Sequence, residues 1–210
     1  MSDLLPLFPL PNVVLFPNVF LALHIFEPRY REMVADTLAA DRMLGMVLLR
    51  PGWESDYEGR PPVYAVGCSG VITHVERHND GRYNIVLRGL DKFRILAEDH
   101  ERRYRRASVE LLPEPVLAPA ERVDIHRQRA RLEALLGPGS ESRGGEARTP
   151  AAMSDDDLVN ALAQYLDFEP LEKQALLERP CLRTRAASLV ELLEMKIISA
   201  RTPGPSNVAH

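Results

Sequence analysis

The sequence predicts an α+β protein with a β-rich subdomain over residues 1–113, a helical subdomain over 114–200 and a flexible tail over 201–210. Two observations carry this. Up to Pro113, β-branched and aromatic residues recur in short runs between Pro, Gly and Asn, the punctuation of strands and turns. After Pro113 the apolar residues move to a spacing of three and four, the period of one helix face. With 45% hydrophobic and 27% charged residues in 210, the chain has enough apolar material for a packed core.

Strands are expected first at residues 5–8 and 13–16, separated by Pro9, Pro11 and Asn12. Residues 19–26, VFLALHIF, are apolar at alternating positions of both sets, as in a strand covered on both faces. Pro28 then opens a helix to about Ala40, because its fixed φ and missing N–H are harmless in the first turn. Tyr30, Met33, Val34, Thr37 and Leu38 share its apolar stripe. A strand at 43–49 leads into a polar loop over 50–62. A long strand over 63–77 follows, with Gly67 and Gly70 marking a bulge or bend. Asn79-Asp80-Gly81 predicts a tight hairpin turn into a strand at 82–87. Strands at 93–97 and 107–112 complete a unit of six or seven, enough to curl into a sandwich or partly closed barrel.

Pro115 and Pro119 introduce a helix over about 120–136, ended by Gly137-Pro138-Gly139. The segment 140–149, SESRGGEART, reads as a mobile loop. Ser154 is an N-cap signal, and Asp155, Asp156 and Asp157 place negative charge at the positive end of the next helix. Helices at about 170–177 and 182–199 follow, the last with Leu182, Ala186, Leu189, Leu193 and Ile197 on one face.

Several function classes are excluded or disfavoured. A net charge of −4 argues against a surface built throughout to neutralise phosphates. Cys68 and Cys181 lack any CxxC spacing and read as ordinary thiols of a reducing compartment. The first basic residue is Arg29, so no positive segment of a secretory signal is present, and Pro17, Asn18 and His24 interrupt the richest apolar stretch. A cytoplasmic location without membrane attachment is expected. Lysine occurs at 92, 173 and 196 alone and never after glycine, so no phosphate-cradling Gly-Lys loop exists, and all three read as surface residues.

His74 and His78 have the spacing of two helical metal ligands, but their segment reads as a strand, which separates them by about 13 Å. They read as outward polar residues, and no metal site is expected. Cys68 and Ser69 sit between bend glycines without the strand-to-helix elbow of a hydrolase nucleophile, so no catalytic residue is assigned. Arg102, Arg103, Tyr104, Arg105 and Arg106 form the densest basic run, readable as a phosphate grip with an aromatic for stacking, or as a solvated turn offset by Glu98, Asp99 and Glu101. Trp53 and Tyr57 stand in a loop with no local core. They are candidates either for a partner-binding surface or for sealing the edge of the β unit.

The segments Leu5-Pro6-Leu7-Phe8-Pro9-Leu10, Val13-Val14-Leu15-Phe16-Pro17 and Leu23-His24-Ile25-Phe26-Glu27-Pro28-Arg29-Tyr30 resemble the Lon N-terminal substrate-binding domain family. Gly70-Val71-Ile72, Asp80-Gly81-Arg82-Tyr83-Asn84-Ile85, Leu87-Arg88-Gly89 and Phe93-Arg94-Ile95 extend the similarity, which covers about 4–198. Pro11-Asn12 replaces a commonly polar or charged pair, and Asn18 stands where glycine is common, a change that a turn tolerates. The resemblance implies a PUA-like pseudobarrel joined to a helical bundle, with Phe8, Phe16, Phe26 and Phe93 supplying core area. It also implies a non-enzymatic, ATP-independent module without cofactors. Its expected partner is unfolded or partly folded polypeptide, or an effector protein, contacted by exposed apolar surface and by Trp53 and Tyr57. The 210 residues leave no room for the ATPase and peptidase that follow this region in Lon proteases. The alternative is an RNA-binding module that uses the sheet and the Arg102–Arg106 run.

Overall fold

The computed structural model describes residues 4–57, 59–137 and 153–201. The expected loop at 140–149 and the expected tail beyond Arg201 lie outside these residues. Six strands, β1 (Leu5–Leu10), β2 (Phe20–Ile25), β3 (Met43–Leu48), β4 (Val66–Arg77), β5 (Tyr83–Asp99) and β6 (Arg105–Leu112), form one mixed sheet in the order β2-β5-β4-β3-β1-β6. β6 also pairs with β5, so five strands close into a ring and β2 lies outside it. Only the β1–β3 pair is parallel.

The closure depends on β5. Residues Tyr83 to Arg88 pair with β2, and Lys92 to Asp99 pair with β6. The sequence places two strands here. Gly89 keeps the ladder continuous at a point where a Cβ would lie 2.0 Å from the Phe16 carbonyl oxygen, and irregularities in β4 between Cys68 and Gly70 and between Ile72 and His74 absorb the change in register. The hairpin turn forms as expected. Gly81 takes φ 81°, and the Asp80 carboxylate accepts the Arg82 N–H at 3.0 Å.

Inside the ring Leu7, Val47, Phe93 and Ala107 form the core. A Cβ on Gly45 would lie 2.7 Å from Phe93 Cζ, and one on Gly67 would meet the same atom at 2.7 Å, so both positions stay bare to admit the ring. Residues 13–16, expected as a strand, stand outside the sheet, with Val14, Leu15 and Phe16 buried and Val13 half-buried. Pro17 and Asn18, the latter at φ 61°, turn the chain, and the Phe16 N–H donates at 3.2 Å to the Gln164 side chain instead of to a neighbouring strand. β2 is an edge strand with alternating exposure, not a strand covered on both faces. Phe26 just beyond it is 60% exposed, so of the four phenylalanines expected in the core only Phe8, Phe16 and Phe93 are buried.

Helix α1 (Pro28–Ala39) starts at Pro28 and buries Tyr30, Met33, Val34 and Thr37, as its stripe predicts. Four helices follow: α2 (Pro119–Leu136), α3 (Asp155–Tyr165), α4 (Pro170–Leu177) and α5 (Leu182–Arg201). Ser154 Oγ accepts the Asp157 N–H at 3.1 Å and caps α3.

The chain divides into two compact units, and the division corrects the expected one. Met1–Glu114 and Asn160–Glu178 make up the first, and Pro115–Val159 with Arg179–His210 the second. Residues 160–178 were expected in the helical subdomain. They join the sheet because their polar side chains satisfy its backbone: Gln174 donates to the Val66 carbonyl at 2.9 Å and the Tyr165 hydroxyl to the Phe20 carbonyl at 2.7 Å. In the second unit α2 packs against α5, with Arg131 paired to Glu194 at 2.6 Å. Buried Arg129 holds Glu133 at 2.9 Å and Asp155 at 3.0 Å.

Replacing Gly45 by alanine should destabilise the protein by about 1–3 kcal/mol, because Phe93 and Leu5 must both move from close packing. The shift in urea midpoint at unchanged slope measures it, and Gly67→Ala should act in the same direction.

Candidate functional site

The 50–62 loop folds back on the β unit. Gly52 at φ 87° turns it into a single 3-10 turn, Trp53–Asp56, in which Ser55 Oγ donates to the Gly52 carbonyl at 3.2 Å. Trp53 and Tyr57 are half-buried and meet edge to face with ring centres 5.4 Å apart. The Tyr57 hydroxyl donates to Glu27 Oε1 at 2.5 Å. Arg29 donates to Glu27 Oε2 at 3.0 Å and to the Tyr57 carbonyl at 3.1 Å, and its guanidinium lies over the Tyr30 and Tyr57 rings. Glu27 and Arg29, at the entrance to α1, therefore clamp the far end of the loop. Burial and the bond to Glu27 push the Tyr57 phenol above its ordinary pKa, so it stays a neutral donor.

A cavity of about 250 Å³ opens beside this clamp. Arg29, Arg60, Arg102, Arg103 and Arg105 line it together with Tyr30, Tyr57 and Tyr104, Pro9, Leu49, Gly59 and Pro61, with no acidic side chain among the described lining residues. Arg105 is buried. It grips Glu98 with two bonds, at 2.9 and 2.6 Å, and donates to the Pro61 carbonyl at 2.6 Å. Arg60 donates only to backbone, to the Asp99 carbonyl at 2.9 Å and the Arg102 carbonyl at 3.0 Å. Arg102 lies 3.7 Å from Asp36 and 3.9 Å from Glu32, and Arg103 is exposed with no ion pair among the described residues.

These positions revise the basic run. It lies on a turn and the start of β6, offset by Glu98, Asp99 and Glu101 as one of the two sequence readings expects, but only part of it is solvated. Tyr104 is buried and its hydroxyl donates to Asp36 at 2.7 Å; Arg105 is committed to Glu98, and Arg106 to Asp99 and Glu101. The arrangement gives the RNA reading no support, because the run's charge is divided between internal acids and one cavity.

The remaining sequence candidates are structural. Ser69 donates its hydroxyl to the Asp91 carbonyl at 3.0 Å and accepts the Asp91 N–H at 3.2 Å. Cys68 and Cys181 form no disulfide among the described residues. Lys92 is not a surface residue. It is 4% exposed and lies 3.4 Å from Glu114, because β5 runs through the interior. Lys173, also expected at the surface, is half-buried and donates to the Gln164 carbonyl at 2.7 Å. Among the described residues no group of three His, Cys, Asp or Glu side chains could hold a metal ion, and no helix is long and apolar enough to cross a membrane.

The family model for the ATP-dependent protease La (LON) substrate-binding domain matches residues 4–195, nearly the whole described chain. The protein belongs to this family. Among curated relatives, Lon protease 2 of Myxococcus xanthus is 27% identical over 92% of this chain and 24% of its own length. Lon protease 1 of Thermus thermophilus is 28% identical over 90% of this chain and 24% of its own. The chain thus spans about a quarter of the length of these Lon proteases. Among solved structures, the N-terminal domain of the Mycobacterium avium complex Lon protease aligns with a TM-score of 0.66 at 17% identity, covering 91% of this chain and 98% of that one. A Lon N-terminal domain protein from Xanthomonas campestris aligns at 0.57 and 21%, covering 95% and 99%. Both establish the Lon N-terminal domain fold.

Sequence reasoning selected Trp53, Tyr57 and the basic run separately, and the structure brings Tyr57 and Arg102 to Arg105 to one cavity. It missed Arg29, Tyr30 and Arg60. Arg29 and Tyr30 lie in the Glu27-Pro28-Arg29-Tyr30 motif, a signal that reads as helix initiation and conceals the side-chain role. Arg60 carries no local signal.

Burial and the bond to Asp36 raise the Tyr104 pKa from 10.0 to about 12. The folded state therefore keeps a proton that the unfolded chain loses first, and this contribution to stability is complete below pH 10 and lost as pH rises toward about 12. Tyr104→Phe should flatten the decline in stability across that window, measured by urea unfolding at stepped alkaline pH.

Proposed function

We propose that this protein is a non-enzymatic, cofactor-free module that binds unfolded or partly folded polypeptide, acting in the cytoplasm without ATP. The observation that carries the reading is the match to a substrate-binding family across residues 4–195. The closed β ring supports the PUA-like description of the barrel. Two features of the first unit suit polypeptide recognition. Phe20 and Phe26, on and just after the edge strand β2, are 52% and 60% exposed, which offers apolar area on a strand whose outer edge pairs with no other strand of the sheet. The Trp53–Tyr57 pair is fixed by Glu27 and Arg29, so a partner meets rigid aromatic surface and little ordering entropy is lost. An effector protein engages the same surface in the second form of this reading.

Immobilised reduced and carboxymethylated lactalbumin, which cannot refold, should retain the protein in the absence of ATP, whereas native lactalbumin should not. Trp53→Ala should weaken retention about tenfold, the loss of one aromatic anchor. Equal retention on native and unfolded forms would overturn the polypeptide reading. An unchanged affinity for Trp53→Ala, with binding intact, would remove the loop from the contact surface.

A further inference from the structure

We propose that the arginine-walled cavity is a carboxylate site, which takes the free C-terminal carboxylate or an acidic side chain of the polypeptide bound by this module. The inference rests on the polypeptide-binding reading. Five arginines line a space of about 250 Å³, and no acidic side chain stands among its described lining residues. Two of them are answered from behind, Arg29 by Glu27 and Arg105 by Glu98. Among the described residues no carboxylate answers the other three at hydrogen-bond distance. Arg60 is held by two backbone carbonyls, Arg102 stands 3.7 and 3.9 Å from Asp36 and Glu32, and Arg103 has no ion pair among the described residues. Like charges held together repel, and an anion placed among them relieves the repulsion.

The form of the anion follows from the walls. Arg60 donates from both terminal nitrogens to backbone carbonyls, which fixes its plane while further N–H groups of the guanidinium remain available. A fixed planar fork matches the two oxygens of a carboxylate. Tyr30, buried and without a hydrogen-bond partner for its hydroxyl among the described residues, supplies a neutral donor that burial keeps protonated. Pro9, Leu49 and Pro61 line the remainder with apolar surface. Tyr57 forms part of the wall and Trp53 meets it edge to face, so an apolar side chain next to the carboxylate has an aromatic surface to lie on. A cavity of this volume admits one terminal residue or one acidic side chain. It does not admit the continuous backbone track that RNA binding requires.

The test is fluorescence anisotropy with one short apolar peptide ending in leucine, prepared as the free acid, as the C-terminal amide, as the amide with one internal aspartate, and as the amide with one internal phosphoserine. The free acid or the aspartate peptide should bind at least about tenfold more tightly than the plain amide, and added salt should narrow the gap. Tightening confined to the free acid identifies the terminal carboxylate, and tightening of the aspartate amide identifies the side chain. Arg103→Gln, a change at an exposed unpaired residue, and Arg60→Gln should both bring the carboxylate peptides to the level of the plain amide. Arg94→Gln, which removes a half-exposed arginine paired with Glu110 elsewhere on β5, should leave the difference intact. If Arg60→Gln does not fold, Arg103→Gln alone decides. Acid and amide that bind alike, a difference that survives Arg103→Gln, or tightening by phosphoserine alone would overturn the carboxylate site and leave polypeptide binding standing. Absence of binding by all four peptides, together with equal retention on native and unfolded lactalbumin, would overturn the polypeptide reading itself.

Discussion

The Phe93 ring at the centre of the closed sheet is the constraint around which the β unit is arranged. It is fully buried, and it packs with Leu7 from β1, Val47 from β3 and Ala107 from β6. A large aromatic in a ring of five strands needs space on its flanks, which Gly45 on β3 and Gly67 on β4 provide by having no side chain. Interiors packed to crystal-like density tolerate little error in either direction, so one large and two minimal residues form a matched set. The closure that follows removes the exposed edges of the strands in the ring and leaves β2 as the strand with an unpaired side.

That closed ring places the candidate surface. β6 is held between β1 and β5, and its first residue, Arg105, is fixed by Glu98 on β5 and by the Pro61 carbonyl at the end of the 50–62 loop. On the other flank α1 begins at Pro28, so Glu27 and Arg29 stand where they can hold Tyr57. Phe8 of β1 packs against Tyr30 with ring centres 4.5 Å apart, which ties the start of α1 to the barrel. The loop is thus anchored at Tyr57 and at Pro61 by charged groups at the start of α1 and on β6, and a cavity can persist beside them. Paired polar anchors of this kind suit a recognition surface, because a partner need not order it.

The departures from the sequence reading share a cause. Residues 13–16 have strand-like composition, yet a side chain from α3 meets the Phe16 N–H. Lysine and arginine ordinarily mark the surface, yet Lys92 and Arg105 are buried because their carboxylate partners, Glu114 and Glu98, arrive beside them. The 19–26 stretch is apolar enough for an interior strand, but ring closure by β6 on β5 leaves it at the edge. In each case the local pattern was compatible with two environments and a distant segment chose between them.

Local chemistry was fully legible. Pro28 began a helix, Asp80-Gly81 made the hairpin, Ser154 capped α3, and Gly67 and Gly70 flanked an irregularity in β4, because turns, caps and bulges are decided by a few adjacent residues acting on their own backbone. The family resemblance was legible for the same reason, since it rests on runs of such residues. The candidate site was legible only as fragments. Arg60 joins Asp99 and Arg102 across 39 and 42 residues, and Gln174 reaches Val66 across 108, contacts that no spacing along the chain encodes. They exist once the sheet has closed and brought those backbones within hydrogen-bond distance. The sequence by itself determined the turns, caps and most of the elements; the closed tertiary structure decided that residues 13–16 stay outside the sheet, that 83–99 form one strand, and which charges are buried, which are paired and which remain around the cavity.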